Sequence, residues 1–365
     1  MPSYTINGYN IEFPKEAYGS QIRYMEHVLR ALSTGQNALL ESPTGTGKTL
    51  CLLCAVLAWQ DTIKSRVPKK STGSGATAKG NGYPVIVYAS RTHTQLSQVV
   101  AELKSTAYRP KMTILGSRDQ LCVNQKMSKF KGTVLNSACS ALCATHNCYY
   151  RNNLDKYNGF VEGSDGSRAP ILDIEDLMAL GKKDSICGYY YSRMQLSDSD
   201  LVLLPYNYLL DPVVRARVDI NWKNAIIIFD EAHNLERSAC EAASVTITST
   251  MLTSVIDECK TVIKVLQSGA SSNESGAEAS KASSASASAV SKGDGKSKLP
   301  GLDAVVNMLK ALFSLEEVLD NAPLRQQEQF GGERSSKALA LPGSWLFSTL
   351  EDIGLPYEKV GIGCS

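Results

Sequence analysis

The chain has 365 residues, of which 43% are hydrophobic, and can therefore bury a large core and form two or three domains. Its formal net charge of +2 favours no class of partner, because a nucleic-acid-binding protein can keep its basic residues local. We expect an intracellular protein without a membrane partner, since no apolar stretch reaches the roughly 18 residues of a membrane span and no secretory signal is found. The ten cysteines are then expected to be metal ligands or buried thiols rather than disulfides.

The first elements along the chain are predicted to be a helix, a strand and a second helix. Apolar residues at helical spacing indicate a helix that ends near Leu32, with Gly35 as its C-cap. The short apolar run at residues 37–40 is typical of a buried strand, and residues 50–59 continue as an apolar helix.

Residues 41–50, which read ESPTGTGKTL, join this strand to this helix and predict a phosphate-binding loop. A strand–loop–helix unit directs loop N–H groups and the positive end of a helix at one point, where an anion can bind. Lys48 would neutralise the β- and γ-phosphates, and the Thr49 hydroxyl would hold Mg²⁺. The alternative, a glycine-rich turn with an exposed lysine, leaves the flanking strand and helix unexplained. The predicted nucleotide-binding residues are Ser42 (where the general pattern has glycine), Pro43, Thr44, Gly45, Thr46, Gly47, Lys48 and Thr49.

Farther along, strands alternate with helices. After a Lys-, Ser- and Gly-rich segment at residues 64–82, predicted to be a flexible loop, strands are predicted at residues 84–89, 112–115, 201–204 and 225–229. Between residues 116 and 188 the alternation stops and cysteines concentrate. This pattern, with motifs at strand ends, predicts an α/β fold whose parallel sheet binds its ligands at the carboxyl edge.

The last of these strands is followed directly by Asp230, Glu231, Ala232 and His233. A carboxylate at the end of a buried strand beside a phosphate loop can hold Mg²⁺, and a second one can orient and deprotonate the attacking water. We assign Asp230 to the metal and Glu231 to the water, while His233 would couple hydrolysis to the substrate side. The predicted catalytic residues are therefore Lys48, Asp230, Glu231 and His233.

Beyond residue 244 the pattern is helical, with an amphipathic helix at residues 302–319. Residues 268–300 contain Ser, Ala, Gly and Lys but almost no large apolar residue, which predicts disorder.

The motifs SPTGTGKT, SRTHTQ and DEAH, with a cysteine-rich insert between the last two, resemble the superfamily 2 DNA helicases of the XPD-like iron–sulfur group. The resemblance implies a RecA-like motor domain at residues 1–115 and 195–244, an iron–sulfur insert at residues 116–194 and a partial helical arch-like region at residues 245–365. It implies ATP-dependent 5′-to-3′ DNA unwinding in DNA repair, recombination control and telomere maintenance, and a location in the nucleus. It further implies single-stranded and branched DNA as substrates and replication and repair proteins as partners. In this group, Gln21 matches the glutamine that reads adenine.

Four cysteines of the insert, Cys122, Cys139, Cys148 and Cys187, suit either tetrahedral zinc or a cubane iron–sulfur cluster. They form no Cys-x-x-Cys pair, which weakens a zinc-ribbon interpretation, and the resemblance favours a [4Fe–4S] cluster. Cys143 is an alternative to Cys139 as the second ligand, although the spacing to Cys122 and Cys148 favours Cys139.

DNA contact is predicted where the strand at residues 84–89 meets the following helix. Four polar residues there are suited to hold the phosphates of a single strand: Arg91, Thr92, His93 and Gln95. Tyrosines interleaved with arginine also follow Cys148 and Cys187. They could stack on bases, although tyrosines are equally ordinary in a core.

No second α/β unit follows Asp230, whereas helicases of this group have a second motor domain. We therefore expect part of a longer helicase that is inactive alone. Two alternatives are a nucleotide- and DNA-binding module without unwinding activity and a zinc-containing ATPase with a protein substrate.

Overall fold

The computed structural model describes residues 1–67, 82–156, 170–271, 301–321, 325–326, 337–338 and 341–353. The chain divides into two compact units, Met1–Ala243 and Ser244–Ser365. None of the helices in these ranges combines the length and the hydropathy that a membrane crossing requires.

The first unit alternates strands and helices along most of its length. In chain order its elements are β1 (Ser3–Ile6), β2 (Tyr9–Glu12), α1 (Gly19–Thr34), α2 (Lys48–Arg66), β3 (Val85–Ser90), α3 (His93–Ser105), β4 (Met112–Ile114), α4 (Arg118–Leu121), α5 (Gly132–Ala144), α6 (Tyr149–Asn152), α7 (Ile174–Lys183), α8 (Gly188–Met194), β5 (Leu201–Pro205), α9 (Asn207–Leu210), α10 (Pro212–Ala216), β6 (Ala225–Phe229) and α11 (Leu235–Ala243). β1 and β2 form an antiparallel pair. The predicted C-cap of α1 is confirmed, since Gly35 has a φ of 66° and its N–H donates to the Ala31 carbonyl.

A parallel sheet in the order β4-β5-β3-β6 organises this unit, which confirms the predicted parallel α/β architecture. Strands covered on both faces consist of continuous apolar residues, and every residue of β5 is buried. Tyr88 of β3 pairs with Leu203 of β5 on one side and with Ile228 of β6 on the other. The carboxyl ends of β3 and β6 therefore lie side by side.

Alternate strand residues face opposite sides of the sheet. Ile86 and Tyr88 join a core that includes Leu50 and other residues of α1, α2 and α3. Val87 and Ala89 belong to a second core, which is completed by residues such as Tyr206 and Leu209. The start of α2 thus lies on the face of the sheet that carries Tyr88.

The predicted strand at residues 37–40 is wrong. These residues form no strand, and Leu39 is 93% exposed. β6 stands at one end of the sheet, and none of the described strands pairs with its outer edge. Residues 37–40 do not pair with that edge, so their backbone lacks the ladder hydrogen bonds that define a strand.

Two predicted irregular segments begin later than expected. α2 continues through residues 64–66, where a flexible loop was predicted, and residues 68–81 lie outside the described ranges. A helix likewise continues through residues 268–271, where disorder was predicted, and residues 272–300 lie outside those ranges. In both cases the helix extends into polar sequence, because hydrogen bonding continues after the apolar face has ended.

The cysteine-rich segment consists of short helices, and its described part contains no strand. Leu121, Leu177 and Ile186 of this segment are buried in the main core beneath the sheet. A smaller apolar cluster contains Met127, Leu135 and Cys139. The segment is therefore anchored partly by its own apolar residues, independently of any group that its cysteines hold.

The second unit contains α12 (Ser249–Ser271), α13 (Leu302–Asp320), β7 (Arg325–Gln326), β8 (Lys337–Ala338) and α14 (Gly343–Asp352). Leu252 and Ile256 of α12 pack against Leu315 of α13 in one apolar cluster. The helix predicted at residues 302–319 is α13.

Candidate functional site

Residues 42–47 form a tight loop ahead of α2. Gly45 and Gly47 have φ angles of 76° and 73°, a left-handed conformation that glycine adopts without strain. The Thr46 hydroxyl donates to the Pro43 carbonyl at 2.9 Å and lies 2.6 Å from the Ser42 hydroxyl. Ser42, which replaces the glycine of the general pattern, therefore helps to close the loop.

Lys48 directs its charge into this loop. Its ammonium donates to the carbonyls of Ser42 and Pro43 at 2.8 and 3.1 Å. Because α2 begins at Lys48, the unpaired N–H groups and positive dipole end of the helix lie at the same place. A cation, free N–H groups and a glycine backbone together meet the chemical requirements of a phosphate chain.

Gln21 of α1 packs directly against the phosphate loop. Its Nε2 donates to the Thr46 carbonyl, and its Oε1 accepts from the Tyr18 N–H, both at 2.9 Å. A methyl group at Gly47 would lie 3.0 Å from that Nε2 atom. The residue predicted to read adenine therefore also braces the loop that would hold the phosphates.

Asp230 continues the ladder between β3 and β6, since its N–H donates to the Ala89 carbonyl at 2.9 Å. The Tyr206 hydroxyl donates to the Asp230 carbonyl. Burial raises the pKa of the Asp230 carboxyl, the neighbouring Glu231 raises this pKa further, and the Lys48 ammonium opposes both. A partly buried carboxylate near the Lys48 ammonium of a phosphate loop is suited to bind a divalent cation.

Glu231 has a φ of 52°, which is uncommon for a residue with a side chain and marks a functional turn in many proteins. Glu231 Oε2 lies 3.3 Å from Nδ1 of His233. His233 Nε2 lies 2.8 Å from the Asn234 amide, whose oxygen accepts from Arg91 at 3.4 Å. A chain of polar contacts therefore links the predicted water-activating residue to a predicted DNA-binding residue. The sequence analysis missed Asn234, and its position directly after His233 is the one signal that could have indicated it.

The other predicted DNA-binding residues surround the start of α3. Thr92 caps this helix by accepting from the Gln95 N–H at 3.3 Å, and Gln95 Oε1 accepts from the Ser90 hydroxyl at 2.9 Å. Burial lowers the pKa of His93, whose Nδ1 has no hydrogen-bond partner among the described residues. Thr92 and Gln95 therefore shape the turn, while the Arg91 side chain is exposed.

The four predicted cysteine ligands lie near one another. Burial raises the pKa of the Cys122 thiol, with further contributions from Cys139 and Cys148. Burial also raises the pKa of Cys187 to about 12, and Cys148 and Cys122 add to this effect. In the described part of the chain, however, no three His, Cys, Asp or Glu side chains converge closely enough to hold one metal ion.

Cys143 follows Cys139 by one turn of α5. Burial and Cys139 raise the pKa of Cys143 to about 11, and Cys148 also lies near it. Cys143 is half-buried beside Tyr190, whereas Cys139 is 8% exposed and contacts Arg118. The structure thus brings both candidates for the second ligand to the same group of thiols.

Tyrosines and arginines pack together beside these cysteines. The Tyr189 ring lies 3.6 Å from the Arg193 guanidinium and 4.1 Å from that of Arg118. Such cation–π contacts hold both partners in fixed positions. Tyr191 is buried, consistent with a core role, whereas Tyr149 is 63% exposed and packs edge-to-face against Tyr150.

Known proteins resemble this chain over most of its length. The DEAD_2 family model matches residues 88–252. The chain is 42% identical over 279 residues to the "Regulator of telomere elongation helicase 1 homolog" of Arabidopsis thaliana, a match that covers 73% of the chain and 27% of that relative. It is 34% identical over 389 residues to the "Regulator of telomere elongation helicase 1" of Homo sapiens, covering 99% of the chain and 30% of that relative. The chain therefore spans less than a third of the length of these relatives.

A solved structure named XPD helicase is 20% identical to the chain, with a TM-score of 0.45 over 69% of this chain and 40% of that one. Structural similarity at this level adds nothing to the assignment, which rests on the sequence matches. By those matches, and with its phosphate loop and DEAH motif at one edge of a parallel sheet, the chain belongs to the family of the regulators of telomere elongation helicase.

Proposed function

We propose that the chain is the nucleotide-binding motor half of an ATP-dependent 5′-to-3′ DNA helicase. The observation that carries this proposal is the proximity of Lys48 and Thr49, at the start of α2, to Asp230 at the carboxyl end of β6. These two parts are distant in sequence, and ATP hydrolysis requires both. The family supports DNA as the substrate, and a role in DNA repair, recombination control and telomere maintenance in the nucleus follows from the same proposal.

In this mechanism the loop N–H groups and Lys48 bind the phosphates of ATP, while Gln21 contacts the adenine. Thr49 and Asp230 would hold Mg²⁺, which supplies positive charge to the phosphoryl group as its bond breaks. Glu231 orients the attacking water and accepts its proton. The contacts from Glu231 through His233 and Asn234 to Arg91 would then couple ATP hydrolysis to DNA binding.

We further propose that residues 116–194 form an iron–sulfur insert, in which Cys122, Cys139, Cys148 and Cys187 hold a [4Fe–4S] cluster. Three of these thiols are buried and Cys122 is half-buried, which suits a cluster shielded from water. Four cysteines also suit tetrahedral zinc, and the resemblance to the XPD-like group favours the cluster. Residues 245–365 would form part of a helical arch.

The test of the nucleotide site is Lys48→Ala in the 365-residue chain. Removing the ammonium should weaken Mg·ATP binding by at least about 10-fold, because a charged hydrogen-bond partner of the phosphates is lost. Equilibrium titration with a fluorescent ATP analogue measures this, and circular dichroism confirms that the domain remains folded. Lys182→Ala, which removes an exposed lysine on α7, is the charge-matched control. Unchanged affinity in the Lys48 variant would refute the phosphate-loop assignment.

A further inference from the structure

The hydroxyl of Tyr88 lies near Thr49 and Asp230 but makes no hydrogen bond of good geometry among the described residues, although the side chain is completely buried. Buried polar groups are almost always paired, so an unpaired one requires an explanation. Packing alone does not provide it, because phenylalanine would fill the same space without burying an oxygen atom.

The register of the sheet places this hydroxyl beside the predicted metal ligands. Tyr88 pairs with Ile228 on β6, and Asp230 follows two residues later on the same face. That face packs against α2, whose second residue is Thr49. The Tyr88 hydroxyl lies next to both the Thr49 hydroxyl and the Asp230 carboxylate.

We propose that Tyr88 is a positioning residue of the nucleotide site, whose hydroxyl donates to the Asp230 carboxylate when Mg·ATP is bound and so holds that carboxylate and Thr49 in place for the metal. This inference rests on the proposed function, in which Thr49 and Asp230 hold the metal of Mg·ATP. One oxygen of a liganding carboxylate commonly binds the metal while another accepts a hydrogen bond that fixes its orientation.

A tyrosine suits this position for an electrostatic reason. A phenolic hydroxyl has an ordinary pKa of about 10, so at neutral pH it is a neutral donor. A lysine or arginine there would add positive charge beside the cation and weaken its binding. A neutral donor orients Asp230 without that repulsion.

The experiment compares Tyr88→Phe with Tyr108→Phe in the 365-residue chain. Tyr108 is also buried, but its hydroxyl has a partner: it accepts from the Glu12 N–H at 3.0 Å, away from the nucleotide site. Binding of a fluorescent ATP analogue is measured across a Mg²⁺ titration and in EDTA, and the thermal midpoint is measured without nucleotide.

Tyr88→Phe should weaken Mg²⁺-dependent ATP binding by about 10-fold, the typical effect of losing a group that orients a metal ligand. Binding in EDTA should be unchanged and the thermal midpoint should not fall, because no well-formed hydrogen bond of the nucleotide-free protein is lost. Tyr108→Phe should show the opposite pattern, with a lower midpoint and normal Mg²⁺ dependence.

Several outcomes would overturn the inference. Wild-type Mg²⁺ dependence in Tyr88→Phe, with binding lost in Lys48→Ala, rejects the role of Tyr88 and leaves the proposed function intact. Equal weakening with and without Mg²⁺, together with a lower midpoint, assigns Tyr88 a purely structural role. Absence of Mg·ATP binding by the wild-type chain overturns both the inference and the proposed function.

Discussion

Asp230 and Glu231 are adjacent in sequence, but their side chains lie in different environments. Asp230 is half-buried at the end of β6 beside the Lys48 ammonium, which suits a metal ligand. The Glu231 side chain is 42% exposed, follows a left-handed turn and lies near His233. This exposure gives Glu231 access to water, as a residue that activates water requires.

Glu231→Gln should preserve ATP binding and abolish hydrolysis, because the amide keeps the shape of the side chain but cannot accept a proton. A fall of about 100-fold or more is expected from the loss of general-base catalysis. Single-turnover hydrolysis, with protein in excess over radiolabelled ATP, detects slow cleavage by the chain. Glu236→Gln, at an exposed position on α11, is the control and should leave both properties unchanged. Hydrolysis at the wild-type rate in the Glu231 variant would remove this residue from the proposed role.

At the scale of elements, α5 presents two thiols one turn apart, and only one of them is needed to complete four ligands. Cys139 is the more buried of the two, and it lies close enough to Cys122 to raise the pKa of that thiol. Cys143 lies beside Tyr190. The preference for Cys139 therefore rests on its position among the other thiols as well as on its spacing in sequence.

Cys139→Ser should bleach the visible absorbance of anaerobically purified protein and lower its iron content, whereas Cys143→Ser should retain both. Cys148→Ser is the positive control. Metal binding contributes to folding free energy, so the bleached variants should become protease-sensitive between residues 122 and 152. Residues near Leu177 and Ile186 should stay resistant, because they are buried in the main core. Bleaching by Cys143→Ser alone would identify Cys143 as the ligand, and bleaching by none of the three would refute the four-cysteine assignment.

At the scale of the whole molecule, the described contacts of the phosphate loop come from the first unit, and the chain spans between 27% and 30% of the length of two relatives. In related phosphoryl-transfer proteins, an arginine from a second domain or a partner completes the site. Under the proposed function, the nucleotide site of this chain would be completed in the same way.

The chain alone should bind Mg·ATP but unwind little or no DNA, because an arginine supplied in trans contributes about 10³–10⁵ to turnover in such enzymes. Strand displacement from a fluorescently labelled duplex with a single-stranded 5′ tail measures this, and a full-length relative serves as the control. Efficient unwinding by the isolated chain would show that the nucleotide site is complete without a second domain.

The sequence by itself determined the parts of the site that are local. The phosphate loop and the DEAH motif are each one uninterrupted stretch. β3 and β5 could be recognised because strands covered on both faces consist of continuous apolar residues, and β6 shows the same apolar run although its residues are only partly buried. Gly35 could likewise be predicted as a C-cap, since helix termination depends on the conformation of one residue.

Only the tertiary structure decided which distant residues meet. Residues 37–40 are apolar enough for a strand, but strand formation depends on a neighbouring strand that the short run itself cannot supply. Burial of the cysteine-rich segment in the main core depends on packing across the sheet. The contact of Tyr88 with Thr49 and Asp230 depends on the pairing of β3 with β6 and on the position of α2. Such contacts leave no periodic signal in a sequence, because each joins residues that only the complete fold brings together.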